Sequence, residues 1–271
     1  MSHTKNKITV LGSGTSTGIP LIGCQCKVCL SIDHRDKRLR SSLFLETRNH
    51  TKIIVDTTPD FRTQLLANNI HNLDAAIITH EHADHLHGID DLRPFSFGPP
   101  PRDIPLFTQE KTRKIIEQRF SYIFQNGGAP NLGGGVPRLK MFDVPLNELT
   151  QILEVSDFTF FSYKHGHGET MGFHHEGFAY VVDCMELSEA QIATLKNFNL
   201  DLLIIDCLQR HSHSTHLTVE RCFDYIEKIN PKQAGLIHMG HDLSHRHLES
   251  LARERFGNRV FPLYDGQNLF Y

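Results

Sequence analysis

Apolar residues fall along this chain in short blocks separated by polar, Gly-rich or Pro-rich turns. The blocks alternate between a period of two and the helical period. Lys7–Leu11 reads as a strand that runs into a Gly/Ser/Thr turn over Gly12–Gly18. Ser42–Glu46 and Lys52–Val55 form a hairpin pattern ended by Asp56, and Ala75–Ile78 is a short apolar strand followed by His80. Further strands are predicted at Lys140–Val144, Phe158–Lys164, Gly177–Val182, Leu202–Ile205, Ala234–His238 and Arg259–Leu263. Helical spacing predicts helices over Phe61–Asn68, Glu110–Phe124, Ser188–Asn197, Thr218–Ile229 and Ser244–Phe256. Phe95–Pro105 is rich in Pro and Phe and reads as a loop. Asn126–Pro137, with five glycines and two prolines, reads as a mobile connection. Strands and helices mix in both halves, with neither a linker nor a short repeat, so one α+β domain over residues 1–271 is expected.

Charge narrows the partners. The net charge is −3, and only Arg35–Arg40 is locally basic. That disfavours nucleic acid, which requires clustered Lys and Arg. No apolar run reaches the length of a membrane span, and Met1–Lys7 is polar, unlike a secretory leader. The expectation is a cytoplasmic protein with reduced thiols, so that clustered cysteines point to metal before disulfide.

Histidine changes the picture most, with 19 in the chain. Thr79-His80-Glu81-His82-Ala83-Asp84-His85 sets three imidazoles and one carboxylate just after an apolar strand. His80 and His82 would share a face of an extended segment, and Asp84 and His85 would swing away as a helix opens. One short stretch can thus serve two neighbouring cations; a His-rich polar loop is the bland alternative. Further donors end or follow predicted strands at His165, Asp183 and His238. Within Lys164-His165-Gly166-His167-Gly168, His165 is favoured because it directly follows the strand; His167, His174 and His175 are read as solvated loop or pocket wall.

A second cluster is Cys24-Gln25-Cys26-Lys27-Val28-Cys29, one ligand short of a closed tetrahedral zinc site. His241, in His238-Met239-Gly240-His241, is the best fourth donor; free thiols or a redox pair are the alternative. Cys184, Cys207 and Cys222 read as ordinary buried thiols.

His80-Glu81-His82-Ala83-Asp84-His85 resembles the HxHxDH signature of the metallo-β-lactamase superfamily. The resemblance implies a four-layer αββα sandwich with its ligands on loops along one edge. It implies His80, His82 and His165 on one metal, Asp84, His85 and His238 on the other, and Asp183 bridging them. Asp56 would orient the site. Leu11–Pro20, the cysteine cluster, Gly88–Arg93 and Leu236–His241 are similar to the PhnP-like phosphodiesterase branch. That branch implies a structural zinc on Cys24, Cys26, Cys29 and His241, beside an active-site pair of Zn or Mn.

Two such metals bring a water to near-neutral pKa and neutralise charge on phosphoryl oxygens. His216 resembles a histidine of that branch near the phosphate and is the candidate general acid, with Asp206 to orient it and His213 a weaker choice. Asp84 is counted both as ligand and as catalytic residue. Arg93 would meet an anionic substrate or pair with Asp90 or Asp91. The expected activity is hydrolysis of small, including 1,2-cyclic, phosphodiesters. Competing readings are a lactonase, a thioesterase, a tRNA 3′-processing nuclease, or a metal- or redox-sensing binding protein. A homodimer is the assembly kept in view.

Overall fold

The computed structural model describes residues 5–124, 135–154 and 156–271. In chain order it begins with β1 (Lys7–Gly12), β2 (Ser42–Glu46), β3 (Lys52–Val55), α1 (Phe61–Ala67), β4 (Ala75–Ile77), α2 (Ala83–Leu86) and α3 (Arg93–Ser96). β5 (Ile104–Thr108), α4 (Glu110–Arg119), α5 (Ser121–Phe124) and β6 (Leu139–Asp143) follow. Then come β7 (Leu149–Ile152), β8 (Ser156–His165), β9 (Gly168–His175), β10 (Phe178–Val181), α6 (Glu189–Asn197) and β11 (Leu202–Asp206). The chain closes with α7 (Val219–Ile229), β12 (Gln233–Ile237), α8 (His245–Phe256), β13 (Val260–Pro262) and β14 (Asn268–Phe270).

Two seven-stranded mixed sheets result, ordered β14-β1-β2-β3-β4-β5-β6 and β13-β12-β11-β10-β9-β8-β7. Alternation along the strands makes the layers. In β2, Leu43 and Leu45 face a core shared with the other sheet, whereas Phe44 faces the outer helices. In β11, Leu202 and Ile204 join the shared core, while Leu203 and Ile205 pack under α6, α7 and α8. Three apolar layers between four layers of structure are the expected αββα sandwich, and each sheet needs both faces covered.

The parallel halves position the chemistry. β3, β4, β10, β11 and β12 all run parallel to a neighbour, so their C-terminal ends gather at one edge of the sandwich. Asp56, Asp183, Asp206 and His238 stand at or just past those ends.

Where expectation and structure differ, tertiary pairing explains it. Phe95–Pro105 is not all loop: Arg93–Ser96 is a helical turn, and Ile104 opens β5 between β4 and β6. The prolines hid a strand whose Ile104 and Leu106 are buried. The helix over Glu110–Phe124 breaks at Phe120, which leaves helical geometry (φ −112°, ψ 39°) to enter the core. The Gly168–His175 stretch is a strand, so His174 and His175 are not solvated loop. His175 is buried against Phe158 and Tyr271, and His174 stacks on Phe198. Two glycines and two histidines masked β9, yet Gly172 is required there, because a Cβ would stand 2.5 Å from the Tyr180 carbonyl oxygen. The proposed mobile connection falls mostly on residues 125–134, outside the described residues.

Candidate functional site

The site forms around Asp183. β10 ends at Val181, and two residues on the chain turns through a left-handed conformation (φ 54°) that aims the Asp183 carboxylate into the edge. Its Oδ2 lies 3.2 Å from His80 Nε2, 3.0 Å from His85 Nε2 and 3.8 Å from His165 Nε2. Its Oδ1 lies 3.1 Å from His238 Nε2. His82 Nδ1 is 3.1 Å from His165 Nε2 and exposed to solvent. The expected donors therefore meet as two overlapping groups, His80, His82, His165 and Asp183, and His85, Asp183 and His238, each with ligand atoms within 4.8 Å. Asp84 stands at the rim, its Oδ2 3.1 Å from His85 Nε2.

Four buried imidazoles are turned the same way. His85 Nδ1 gives its proton to Asp56 Oδ2 at 2.7 Å, and His165 Nδ1 to the Thr215 carbonyl at 3.1 Å. Thr79 donates its hydroxyl to Asp56 and so accepts from His80 Nδ1 at 3.0 Å. Ser41 donates to the Gly14 carbonyl and so accepts from His238 Nδ1 at 3.2 Å. In the neutral ring this leaves every Nε2 lone pair directed at Asp183. His80 Nε2, His85 Nε2, His238 Nε2 and Asp183 Oδ1 are buried without a hydrogen bond among the described residues. Converging acceptors with no donor between them are costly unless a cation fills the gap, so the residues fit two divalent metals.

Electrostatics agree. Burial pushes His80 down to about 4, with the charge of His85 adding to it. Burial also opposes a charged His85, but Asp183, Asp84 and Asp56 outweigh it and push its pKa well above the usual imidazole range. Asp183 stays far below the usual carboxylate range: burial disfavours its charge, and His238 and His85 more than compensate. The carboxylates thus favour positive charge at this point, which is what a divalent metal would supply.

Asp56 behaves as expected, orienting rather than ligating: it also takes the Thr79 amide at 2.8 Å. His165 is the buried donor, whereas His167 is exposed at the mouth of a cavity of about 330 Å³ that Lys111 and Thr215 also line. His216 lies beside the cluster, its ring stacked on His238 at 4.9 Å and edge-on to His165 at 5.0 Å. Its Nδ1 is 3.0 Å from Asp206 Oδ2. Burial would lower its pKa, but the Asp206 carboxylate and that hydrogen bond lift it to about 9. His213 is exposed and engaged by Thr215. Arg93 meets neither Asp90 nor Asp91; it bonds the Gly135 carbonyl.

The cysteine cluster closes as expected. His241 Nδ1 is 3.3 Å from Cys24 Sγ, 3.6 Å from Cys26 Sγ and 3.8 Å from Cys29 Sγ. A tetrahedron with bonds of about 2.3 Å has edges of about 3.7 Å, so these spacings suit one zinc. The Cys29 amide draws Cys26 down to about 6, while burial pushes Cys29 up to about 11.

Sequence reasoning missed the orienting groups Ser41, Thr79 and Thr215. Only Thr79 carried a signal, its place next to His80; the other two act across 197 and 50 residues.

Residues 51–239 match the family model of the β-lactamase superfamily domain. Over 99% of the chain, the structure superimposes on a crystal structure described as a new diphosphatase from the PhnP family, with 33% identity, a TM-score of 0.87 and 98% of that chain covered. The chain belongs to the metallo-β-lactamase superfamily, in its PhnP-like branch. An octanoyltransferase of Porphyromonas gingivalis is 36% identical over 246 residues, which are 89% of this chain and 48% of that protein. The coenzyme PQQ synthesis protein B of Methylobacterium nodulans is 31% identical over 121 residues, 40% of this chain and 38% of that one. The chain thus spans about half or less of the curated relatives it matches. The human short-form tRNase Z shares the fold at 17% identity and a TM-score of 0.66, covering 97% of this chain and 98% of its own. None of the helices among the described residues is long and apolar enough to cross a membrane.

Proposed function

We propose that the protein hydrolyses small phosphodiesters, linear or cyclic, with two divalent cations, Zn or Mn, held by His80, His82, Asp84, His85, His165, Asp183 and His238, and a structural zinc on the thiolate clip. The observation that carries this reading is His216: an imidazole braced by the buried Asp206 carboxylate, which raises its pKa, beside the paired sites. When bound, the cations supply Lewis acidity toward phosphoryl oxygens and lower the pKa of a water.

The chain's own residues do the rest. Asp206 accepts from His216 Nδ1 and from the Cys184 amide, which fixes the ring. The His216 Nε2 has no partner among the described residues and is the atom from which a leaving alkoxide takes its proton. A thiolate leaving group needs no such proton donor, whereas an ester or lactone would use it as a diester does, so the choice of phosphodiester over lactone leans on the likeness to the PhnP-family diphosphatase. Small diesters are preferred over polynucleotides because the chain carries a net charge of −3.

The neighbour described as a diphosphatase favours a second reading, cleavage of a P–O–P bond, by the same machinery. Octanoyl transfer, suggested by the name of the half-matched relative, finds little support at this site. Cys184 and Cys222 are buried and pushed well above the usual thiol range, mainly by that burial, and are poor nucleophiles.

His216→Ala is expected to keep the metal content and lower turnover about 10²–10⁴-fold. Elemental analysis beside turnover of a linear diester, a ribose cyclic phosphate, a diphosphate diester and a lactone, with Mn²⁺ or Zn²⁺ supplied, checks it. Unchanged turnover removes His216 from the reaction; a preference for the lactone overturns the phosphodiester reading.

A further inference from the structure

Arg38 is the largest fully buried side chain among the described residues, and it is not a member of any of the candidate metal-binding groups. Its Nη1 donates to the Gly240 carbonyl at 3.0 Å, and Nη2 donates to the Leu243 carbonyl at 2.7 Å and to Asp36 Oδ1 at 3.1 Å. Nε donates to the Arg35 carbonyl at 3.2 Å. The same Asp36 oxygen accepts the His245 amide at 2.7 Å, at the start of α8. Burying a guanidinium is expensive even when it is well paired, and apolar residues in its place are often as stabilising, so its presence here invites a role besides stability.

That role is read from the loop it grips. Residues 238–243 carry His238, which faces Asp183, and three residues later His241, which faces the three thiols. His238 adopts φ 62°, a left-handed conformation that a side-chain-bearing residue holds only under restraint. Upstream the restraint is β12. Downstream it is the Met239 amide on the Ser13 carbonyl, the Gly240 amide on the Leu208 carbonyl, and Arg38 on the Gly240 and Leu243 carbonyls. Three residues beyond Arg38, Ser41 takes the His238 ring itself.

We propose that Arg38 is a positioning residue whose forked hydrogen bonds set the 238–243 loop, so that one buried cation readies a ligand for the active-site pair and another for the thiolate clip. The proposal rests on the metal-binding reading above. It makes a site-selective demand. Sites that draw a ligand from this loop depend on Arg38, and the site built from His80, His82 and His165 does not.

Arg38→Lys keeps the buried charge opposite Asp36 but cannot reach both loop carbonyls. Cobalt(II) titration of the metal-free full chain separates the sites, because thiolate ligands give a near-ultraviolet charge-transfer band that imidazole and carboxylate ligands lack. In Arg38→Lys the clip and one of the two active-site equivalents are expected to bind about tenfold or more weakly, and the other equivalent to bind as before. Ser41→Ala is expected to weaken that same active-site equivalent and leave the clip unchanged. Equal weakening of all three sites, or none alongside a lower Tm, would overturn the role of Arg38. Fewer than three equivalents in the unsubstituted protein would instead sink the metal reading beneath it.

Discussion

Asp183→Asn is expected to strip the active site of both cations and reduce hydrolysis to background, while the thiolate clip keeps its zinc. The substitution preserves shape, so the backbone turn after β10 should survive. It removes the charge and converts one oxygen into an NH₂ donor. Either assignment is damaging, because Oδ2 faces His80 and His85 at 3.2 and 3.0 Å and Oδ1 faces His238 at 3.1 Å. An amide N–H in either place meets imidazole lone pairs instead of bridging two metals. Altering a residue that merely orients a ligand typically costs 10–100-fold in affinity, and Asp183 stands at the centre of the proposed ligand set. Metal analysis after dialysis, with turnover measured on the same sample, checks this. Retention of two cations would show that Asp183 does not bridge.

The second large effect is expected on stability. Cys26→Ser should lose about one zinc per chain, because a neutral hydroxyl is a poor replacement for a thiolate. Metal binding energy at a structural site is folding energy. Here the sandwich has its own core, so the loss is partial, about 3–5 kcal/mol, or about 10 °C in Tm for a chain of this size. The melting of residues 20–33 should account for much of it, since the only apolar packing grouped there is Ile19, Val28 and Cys29 with Leu21, Cys24 and Cys26 at its edge. An unchanged zinc count would refute the four-ligand clip, and a Tm within about 2 °C would make it dispensable to the fold.

The donor cluster was legible because several of its residues follow apolar strands, and a strand end is visible in one dimension. His80 after β4, Asp183 after β10 and His238 after β12 could each be placed by that rule. The grouping of Cys24, Cys26 and Cys29 with His241 was legible by another rule, the close spacing of the cysteines and of His238 and His241. The layers were legible from alternation, as in Leu43, Phe44 and Leu45. The missed strands were those whose residues contradict their neighbourhood or that are very short: β5 hidden by prolines, β9 by glycines and histidines, and β7 and β14 by their brevity. Ser41, Thr79 and Thr215 were invisible for another reason. A hydroxyl or carbonyl that accepts one imidazole proton leaves no periodicity, and only the folded geometry reveals it.

Asp56, Asp183 and His238 share one backbone property, positive φ at 66°, 54° and 62°. Asp, Asn and His tolerate this region better than most residues, but each still gives up of order 1 kcal/mol relative to relaxed backbone. Glycine would relieve that at all three. Where selection for the site's chemistry lapses, variation toward a sturdier fold gains the option of Gly or Asn at these positions, alongside Leu153, Glu154 and Glu176, which share the left-handed backbone away from the site. The three strand ends are where durability and chemistry pull the sequence in opposite directions.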